Sequence, residues 1–195
     1  MDSKLLHGDL VRLVAPDAEK DAETLSRWNN DSVFTRFTDG DPVRPLTTAQ
    51  AKAQIERDTS EGDGRPVFLI RTLADDRVIG YIGLAMRWAN QDAWVFIGLG
   101  ERAYWGKGYG TDAMRVLLRY AFHELNLQRV TLGVFDDNQR ARRSYEKAGF
   151  VFEGHLRGTL QRDGQRRGEY LMGILREEWD LSLAVPRPQP KVGRR

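Results

Sequence analysis

The chain has 195 residues, 41% of them hydrophobic and 30% charged, with no cysteine and a formal charge of +2. That length and balance favour one globular domain that buries a core without disulfides or structural metal. Disulfide frameworks, thiolate nucleophiles and cysteine-based zinc sites are excluded, and three scattered histidines (His7, His123, His155) offer no spaced metal pair.

In chain order, residues 8–15 alternate as a first strand. Pro16-Asp17 then opens a helix in which Asp17 caps, acids fill the first turn, and Ala18, Ala22, Leu25 and Trp28 share a face. Residues 31–46 read as a loop, because Asp39-Gly40-Asp41-Pro42 and Pro45 are strong breakers. Thr47 or Thr48 caps a second helix that runs to the Gly62/Gly64 cluster. Strands at 67–73, 78–88 and 93–100, turned at Asp75-Asp76 and at 89–92, predict an antiparallel meander.

Residues 111–125 carry Met114, Leu117, Leu118, Ala121 and Leu125 on one helical stripe. A strand follows at 129–135, then a helix over 138–148 with Asn138 as cap and Gly149 as its left-handed end. Two last strands flank Arg162-Asp163-Gly164, an Asp-Gly hairpin signal. The order β-α-α-β-β-β-α-β-α-β-β is an α/β (α+β) domain: a mixed, mostly antiparallel sheet of about seven strands flanked by about four helices. We place that domain at residues 5–181 and read the Pro/Arg-rich residues 182–195 as a flexible tail.

No apolar run approaches a membrane span and the first residues lack the apolar stretch of a secretory signal, so a soluble, cytoplasmic protein is expected. The isoelectric point near 9.0 is not a nucleic-acid signature. Residues 1–64 are net −5, and the last ten residues alone contribute +4, leaving a slightly acidic body.

The informative stretch is Tyr104-Trp105-Gly106-Lys107-Gly108-Tyr109-Gly110-Thr111, between a predicted strand and a predicted helix. Alternate glycines let a backbone turn and approach a ligand closely, and the helix start behind them aims free N–H groups and a positive dipole end at the same place. Lys107 adds a mobile cation, which together makes a cradle for a diphosphate. The spacing is wrong for a Walker A loop, since Gly108 follows Lys107. Gly98-x-Gly100-x-x-Ala103 matches a dinucleotide fingerprint on paper, but no helix follows Ala103 directly and no βαβ unit with its acidic residue is expected.

The Trp-Gly-Lys-Gly-Tyr-Gly-Thr loop resembles the acyl-CoA pyrophosphate loop of the GNAT superfamily of N-acetyltransferases. Gly108 and Gly110 match, and Trp105 stands where Arg or Gln is common, as in the branch resembling ribosomal-protein N-terminal acetyltransferases. Asn138-x-x-Ala141-x-x-x-Tyr145-Glu146-x-x-Gly149-Phe150 is similar to a second family motif, and Gly8-Asp9-Leu10, Trp28-Asn29-Asn30-Asp31, Gly154-x-x-Arg157 and Glu178-Trp179 agree with that branch.

The resemblance implies an acetyl-CoA-dependent enzyme, without metal, that moves an acetyl group directly to a primary amine: a protein N-terminus, a polyamine, an aminoglycoside or another small amine. It implies that Ile97, Gly98 and Leu99 bind the pantetheine arm through their backbone, and that Trp105, Gly106, Lys107, Gly108, Tyr109, Gly110 and Thr111 hold the pyrophosphate. It gives Asn138 a pantetheine contact and makes Tyr145 the catalytic acid, consistent with a phenol protonated at neutral pH. The family's strand glutamate is Trp94 here, so the general base is unassigned; Asp31, Asp92 and Glu101 are candidates. The acidic first third suits a cationic acceptor. Arg140, Arg142, Arg143 and Lys147 form a basic helix that either faces the CoA 3′-phosphate or is a solvated surface. A homodimer is compatible with the family. The missing strand carboxylate keeps open an alternative, a CoA-binding regulatory module without transferase activity; neither a nucleic-acid nor a membrane partner is expected.

Overall fold

The computed structural model describes residues 5–60 and 65–184. The expected end of the second helix at Gly62/Gly64 and most of the expected tail lie outside them. Among the described residues are β1 (Val11–Val14), α1 (Ala18–Asn29), α2 (Ser32–Thr38), α3 (Thr48–Thr59), β2 (Val67–Thr72), β3 (Val78–Arg87), β4 (Asp92–Leu99), α4 (Tyr109–Arg119), β5 (Arg129–Phe135), α5 (Gln139–Ala148), β6 (Val151–Arg162), β7 (Gln165–Leu175) and α6 (Arg176–Ala184). The seven strands form one sheet ordered β1-β2-β3-β4-β5-β7-β6.

Every neighbouring pair is antiparallel except β4 and β5, which run parallel on either side of the α4 crossover. That parallel pairing covers only Asp92–Trp94 against Arg129–Thr131. Both strands then continue without each other, to Leu99 and Phe135, so the sheet opens at their carboxyl ends. β4, α4 and β5 therefore form a βαβ unit that the sequence reading did not foresee, because parallel pairing leaves no local turn signal.

Side-chain alternation along β4 sends successive residues to opposite faces. A Cβ on Gly98 would lie 2.7 Å from the Phe34 ring of α2, whereas a Cβ on Gly110 of α4 would lie 3.4 Å from the Leu99 side chain. α2 and α4 thus cover opposite faces. Gly100 has no room for a side chain because the Trp28 ring would lie 2.1 Å from its Cβ. These two glycines of the apparent dinucleotide fingerprint are packing positions, and a bound dinucleotide is not what requires them. The main core joins Val11, Ile70, Ile79, Ile82, Leu84 and Val130 of the sheet to Met114, Leu117, Leu118 and Phe122, all essentially inaccessible to solvent.

Two helices differ from expectation. α2 occupies part of the predicted loop: Asp31 accepts from the N–H groups of Val33 and Phe34 as its cap, and buried Phe34 meets the rings of Trp28 and Tyr81. The breakers at 39–42 mark where α2 ends; tertiary burial of Phe34, invisible to a local rule, decides that it forms. α6 closes the domain by setting buried Trp179 against Phe122. Among the described residues there are six α-helices against the about four expected. Elsewhere the caps match: Asp17 on α1, a Thr47–Gln50 capping box on α3, Asn138 on α5, and Gly149 with φ 109° at its end.

The start of β1 is tied to α4 by one buried carboxylate. Asp112, in the first turn of α4, accepts from the backbone N–H groups of Asp9 (3.1 Å), Leu10 (2.7 Å) and Val11 (3.0 Å). Removing it strands three donors in a site that water reaches poorly. Asp112→Ala is expected to lower stability by about 2–4 kcal/mol in urea unfolding, and a change below about 0.5 kcal/mol, the range of an ordinary surface substitution, would refute this anchoring role.

Candidate active site

The opening between β4 and β5 is a cleft of about 550 Å³, within the usual range for a cosubstrate. One wall is Ile97, Gly98, Leu99, Trp105, Gly106, Gly108, Gly110 and Thr111; the other is Asn138, Arg140, Ala141, Ser144 and Tyr145 from α5. Both α4 and α5 begin here, so two positive helix ends converge on one space. Thr111 and Ser144 hydroxyls, 2.7 Å apart, fasten the two helices together.

The glycine loop has the backbone that its spacing predicts. Gly106 and Gly108 have φ of 73° and 93°, a region costly for any residue with a Cβ. No side chain caps α4, whereas α1, α2, α3 and α5 are capped by Asp17, Asp31, Thr47 and Asn138. The N–H of Asp112 already bonds to the Gly108 carbonyl. The donors of Tyr109, Gly110 and Thr111 precede it and have no place in the helix ladder, so they suit an anionic ligand. Lys107 is exposed at the loop, and Tyr109 packs edge-on against Tyr104 with centroids 5.0 Å apart; neither side chain lines the cleft.

Trp105 does something the sequence did not suggest. Its indole N–H donates to the Leu99 carbonyl at 2.7 Å, occupying one acceptor site of the strand end where a pantetheine arm is expected. Asn138 uses its side-chain oxygen to cap α5 at Ala141 N (3.2 Å) and is itself buried. Its amide donors remain for a ligand.

Tyr145 packs against Phe150 and lines the cleft; burial pushes its phenol up to about 12, and the positive charge of Arg140 acts in the opposite direction. Tyr145 also lines a second cavity of about 310 Å³, with Phe37, Thr38 and Asp39 from the end of α2, Gly133 and Phe135 from β5, Thr159 and Leu160 from β6, and Glu169 from β7. The two cavities meet at Phe37, Thr38, Asn138 and Tyr145.

The three carboxylates first considered as bases are engaged elsewhere. Asp31 caps α2 and pairs with Arg102, which holds its carboxyl below the usual range. Asp92 is held by Arg87 through two bonds of 2.6 Å. Glu101 accepts from Trp28 and pairs with Arg27 and Arg77. Trp94 stands on β4 with its ring partly exposed.

Glu169 is the carboxylate the sequence reading missed. It sits diagonally across from Gly133, where a Cβ would lie 1.8 Å from its Oε1, so the absent side chain on β5 makes its room. Burial raises its pKa, and no cation or hydrogen-bond donor among the described residues compensates. Only cross-strand register reveals this pairing; a glutamate on an exposed hairpin carries no local signal. Among the described residues, no group of three or more His, Asp or Glu is arranged to hold a metal ion, and no helix is long and apolar enough to cross a membrane.

The comparisons with known proteins agree with this geometry. Residues 11–151 match the model of the acetyltransferase (GNAT) domain. A probable N-acetyltransferase of Bacillus subtilis, YjcK, is 39% identical over 117 residues, 59% of this chain and 64% of that protein. An uncharacterized N-acetyltransferase of the same organism, YnaD, is 27% identical over 90% of this chain and all of that protein. In fold, the chain resembles the spermidine N-acetyltransferase of Vibrio cholerae, solved in complex with CoA and spermine, with TM-score 0.77 at 22% identity over 87% of this chain and 97% of that one. With the opened sheet, the glycine loop and the paired cavities, these matches make the chain a member of the GNAT acetyltransferase family.

Proposed function

We propose that the protein is an acetyl-CoA-dependent N-acetyltransferase that acylates a primary amine by direct transfer. The observation that carries this reading is Tyr145, whose side chain lines both cavities, with Glu169 in the second. Acetyl-CoA supplies a thioester carbon activated toward amines. On the chain's side, the N–H groups around Gly108 and Gly110 bind the diphosphate, the β4 edge orients the arm, and the reacting centre falls where the cavities join.

Glu169 Oε removes a proton from the amine as nitrogen bonds to the acyl carbon. Tyr145 Oη gives a proton to sulfur as the carbon–sulfur bond breaks and sulfur leaves with the electron pair. The products are an amide and the CoA thiol, and exchange with water restores both side chains. Burial of Glu169 suits it to the task, since a carboxylate with a raised pKa is a stronger base. The regulatory alternative was motivated by the missing strand carboxylate, and Glu169 removes that motive.

The acceptor cavity favours a slim cationic amine. It contains Asp39 and Glu169, and the first third of the chain is net −5. The spermine in the Vibrio cholerae neighbour is in keeping with an amine acceptor. Thiol release from acetyl-CoA against polyamines, aminoglycosides, amino acids and peptide N-termini tests the activity; none released with any of them would overturn it. The protein has no thiol of its own to interfere.

Gly108→Ala is expected to weaken CoA binding about 5–30-fold through the 1–2 kcal/mol conformational penalty at positive φ. Gly164→Ala, at φ 74° in the distant hairpin turn, carries the same penalty and should leave calorimetric CoA affinity unchanged. Equal losses in both would place the effect in folding. Tyr145→Phe should lower kcat by ~100-fold or more with CoA affinity nearly constant, the signature of a lost proton donor; an unchanged kcat would remove Tyr145 from the mechanism.

Glu169→Gln should likewise depress kcat/KM, and its stability carries a sign. A carboxyl whose folded pKa is raised stabilises the native state below its unfolded pKa of about 4.3, and that contribution is lost as pH rises through the folded value. The glutamine variant should therefore gain Tm relative to the parent between about pH 4 and pH 8. Parallel stability curves would contradict a desolvated Glu169.

A further inference from the structure

Arg140 lines the cleft, and the proposed reaction has not used its charge. It leaves the first turn of α5 and crosses to the opposite wall, where its guanidinium carbon lies 3.7 Å from the Trp105 ring centroid and 5.5 Å from that of Phe37. The two rings meet edge to face at 6.4 Å, and Trp105 is itself fixed by its bond to Leu99. The guanidinium is half-buried, burial pulls its pKa down, and it has neither a carboxylate nor a hydrogen-bond acceptor among the described residues. By contrast, Arg142 on the same helix pairs with Glu146 and stacks on Tyr170, facing away from the cleft.

A desolvated cation without a counter-ion is costly, and ring faces offset only part of that cost. Such a group is best compensated by an anion that forms beside it. The diphosphate already has the glycine loop. Arg143 and Lys147 also line the cleft and are open to the 3′-phosphate; the further negative charge that develops during the reaction is on sulfur, and Tyr145 lines the cleft with Arg140.

We propose that Arg140 is a fixed cation that stabilises the thiolate leaving from the acyl donor, held in place by the rings of Trp105 and Phe37. The assignment rests on the acetyltransferase reading and extends it. It resolves a difficulty: a phenol near 12 is a weak acid for a thiolate, and the Arg140 charge both lowers the phenol and favours the departing sulfur. The step stays balanced, with carbon–sulfur cleavage delivering the electron pair to sulfur beside the guanidinium before or as the Tyr145 proton arrives. A lysine cannot replace it fully, because a planar guanidinium packs on an aromatic face in a way that a strongly hydrated ammonium does not.

The test uses the product. The protein lacks cysteine, so CoA supplies the only thiol in a protein–CoA mixture, and subtracting a titration of the protein alone removes the overlapping tyrosinate absorbance. Thiol bound to the unsubstituted protein should titrate about one unit below free CoA, and Arg140→Met should return it to the free value. In the same variant kcat should fall ~10–100-fold while CoA affinity changes less than about threefold. Arg140→Lys should be intermediate, and an aryl thioester, whose leaving group needs no stabilisation, should restore Arg140→Met nearly to parental turnover. If calorimetry finds no CoA bound to the parent, the acetyltransferase reading falls. If CoA binds but its thiol titrates alike in parent and Arg140→Met, or if affinity and turnover fall together, the thiolate role is overturned by itself.

Discussion

The short parallel contact between β4 and β5 is the constraint on which the rest of the molecule depends. After Trp94 and Thr131 the two strands separate, so the β4 edge and the space beside it become available within an otherwise continuous sheet. α4 connects these strands and α5 follows the second, which brings both helix starts to the same opening. Had the strands stayed paired, the β4 backbone would be satisfied by β5, and the glycine loop would face a closed sheet. The opening is affordable because the remaining strand pairs are antiparallel and extensive, and because Asp112 anchors β1 to the α4 end that borders it.

Charge placement around the opening follows from burial more than from proximity. Asp31, Asp92 and Glu101 are each held by arginines, a structural use of their charge. Glu169 has no such partner and is partly desolvated, and Arg140 has aromatic faces in place of a counter-ion. Opposite charges without ion-pair partners among the described residues are thus kept at different walls, one toward the second cavity and one toward the cleft, with Tyr145 lining both. A compensated ion pair in either position would be more comfortable and chemically inert.

Legibility in the sequence was uneven for identifiable reasons. The α4 stripe, the α5 cap at Asn138, the left-handed Gly149 and the Asp163-Gly164 turn are local signals, and each is found in place. The glycine loop was legible because positive φ at Gly106 and Gly108 is a local demand on residue type. α2 was hidden because it forms around Phe34, whose ring finds Trp28 and Tyr81 only in three dimensions. α6 was passed over for a similar reason, since Trp179 meets Phe122 across a long stretch of chain.

By itself the sequence determined the class of fold, the order of most elements, the glycine loop ahead of α4 and the helix that carries Tyr145, because periodicity, caps and turn chemistry act within a few residues. Only the tertiary structure decided that β4 and β5 run parallel and part, that Glu169 occupies the space left by Gly133, and that Arg140 rests on Trp105. Those facts depend on strand register and on side chains dozens of positions apart, for which no short pattern exists. The charge balance noted at the outset is of both kinds: its uneven distribution is written in the chain, and which charges are left without partners is a property of the fold.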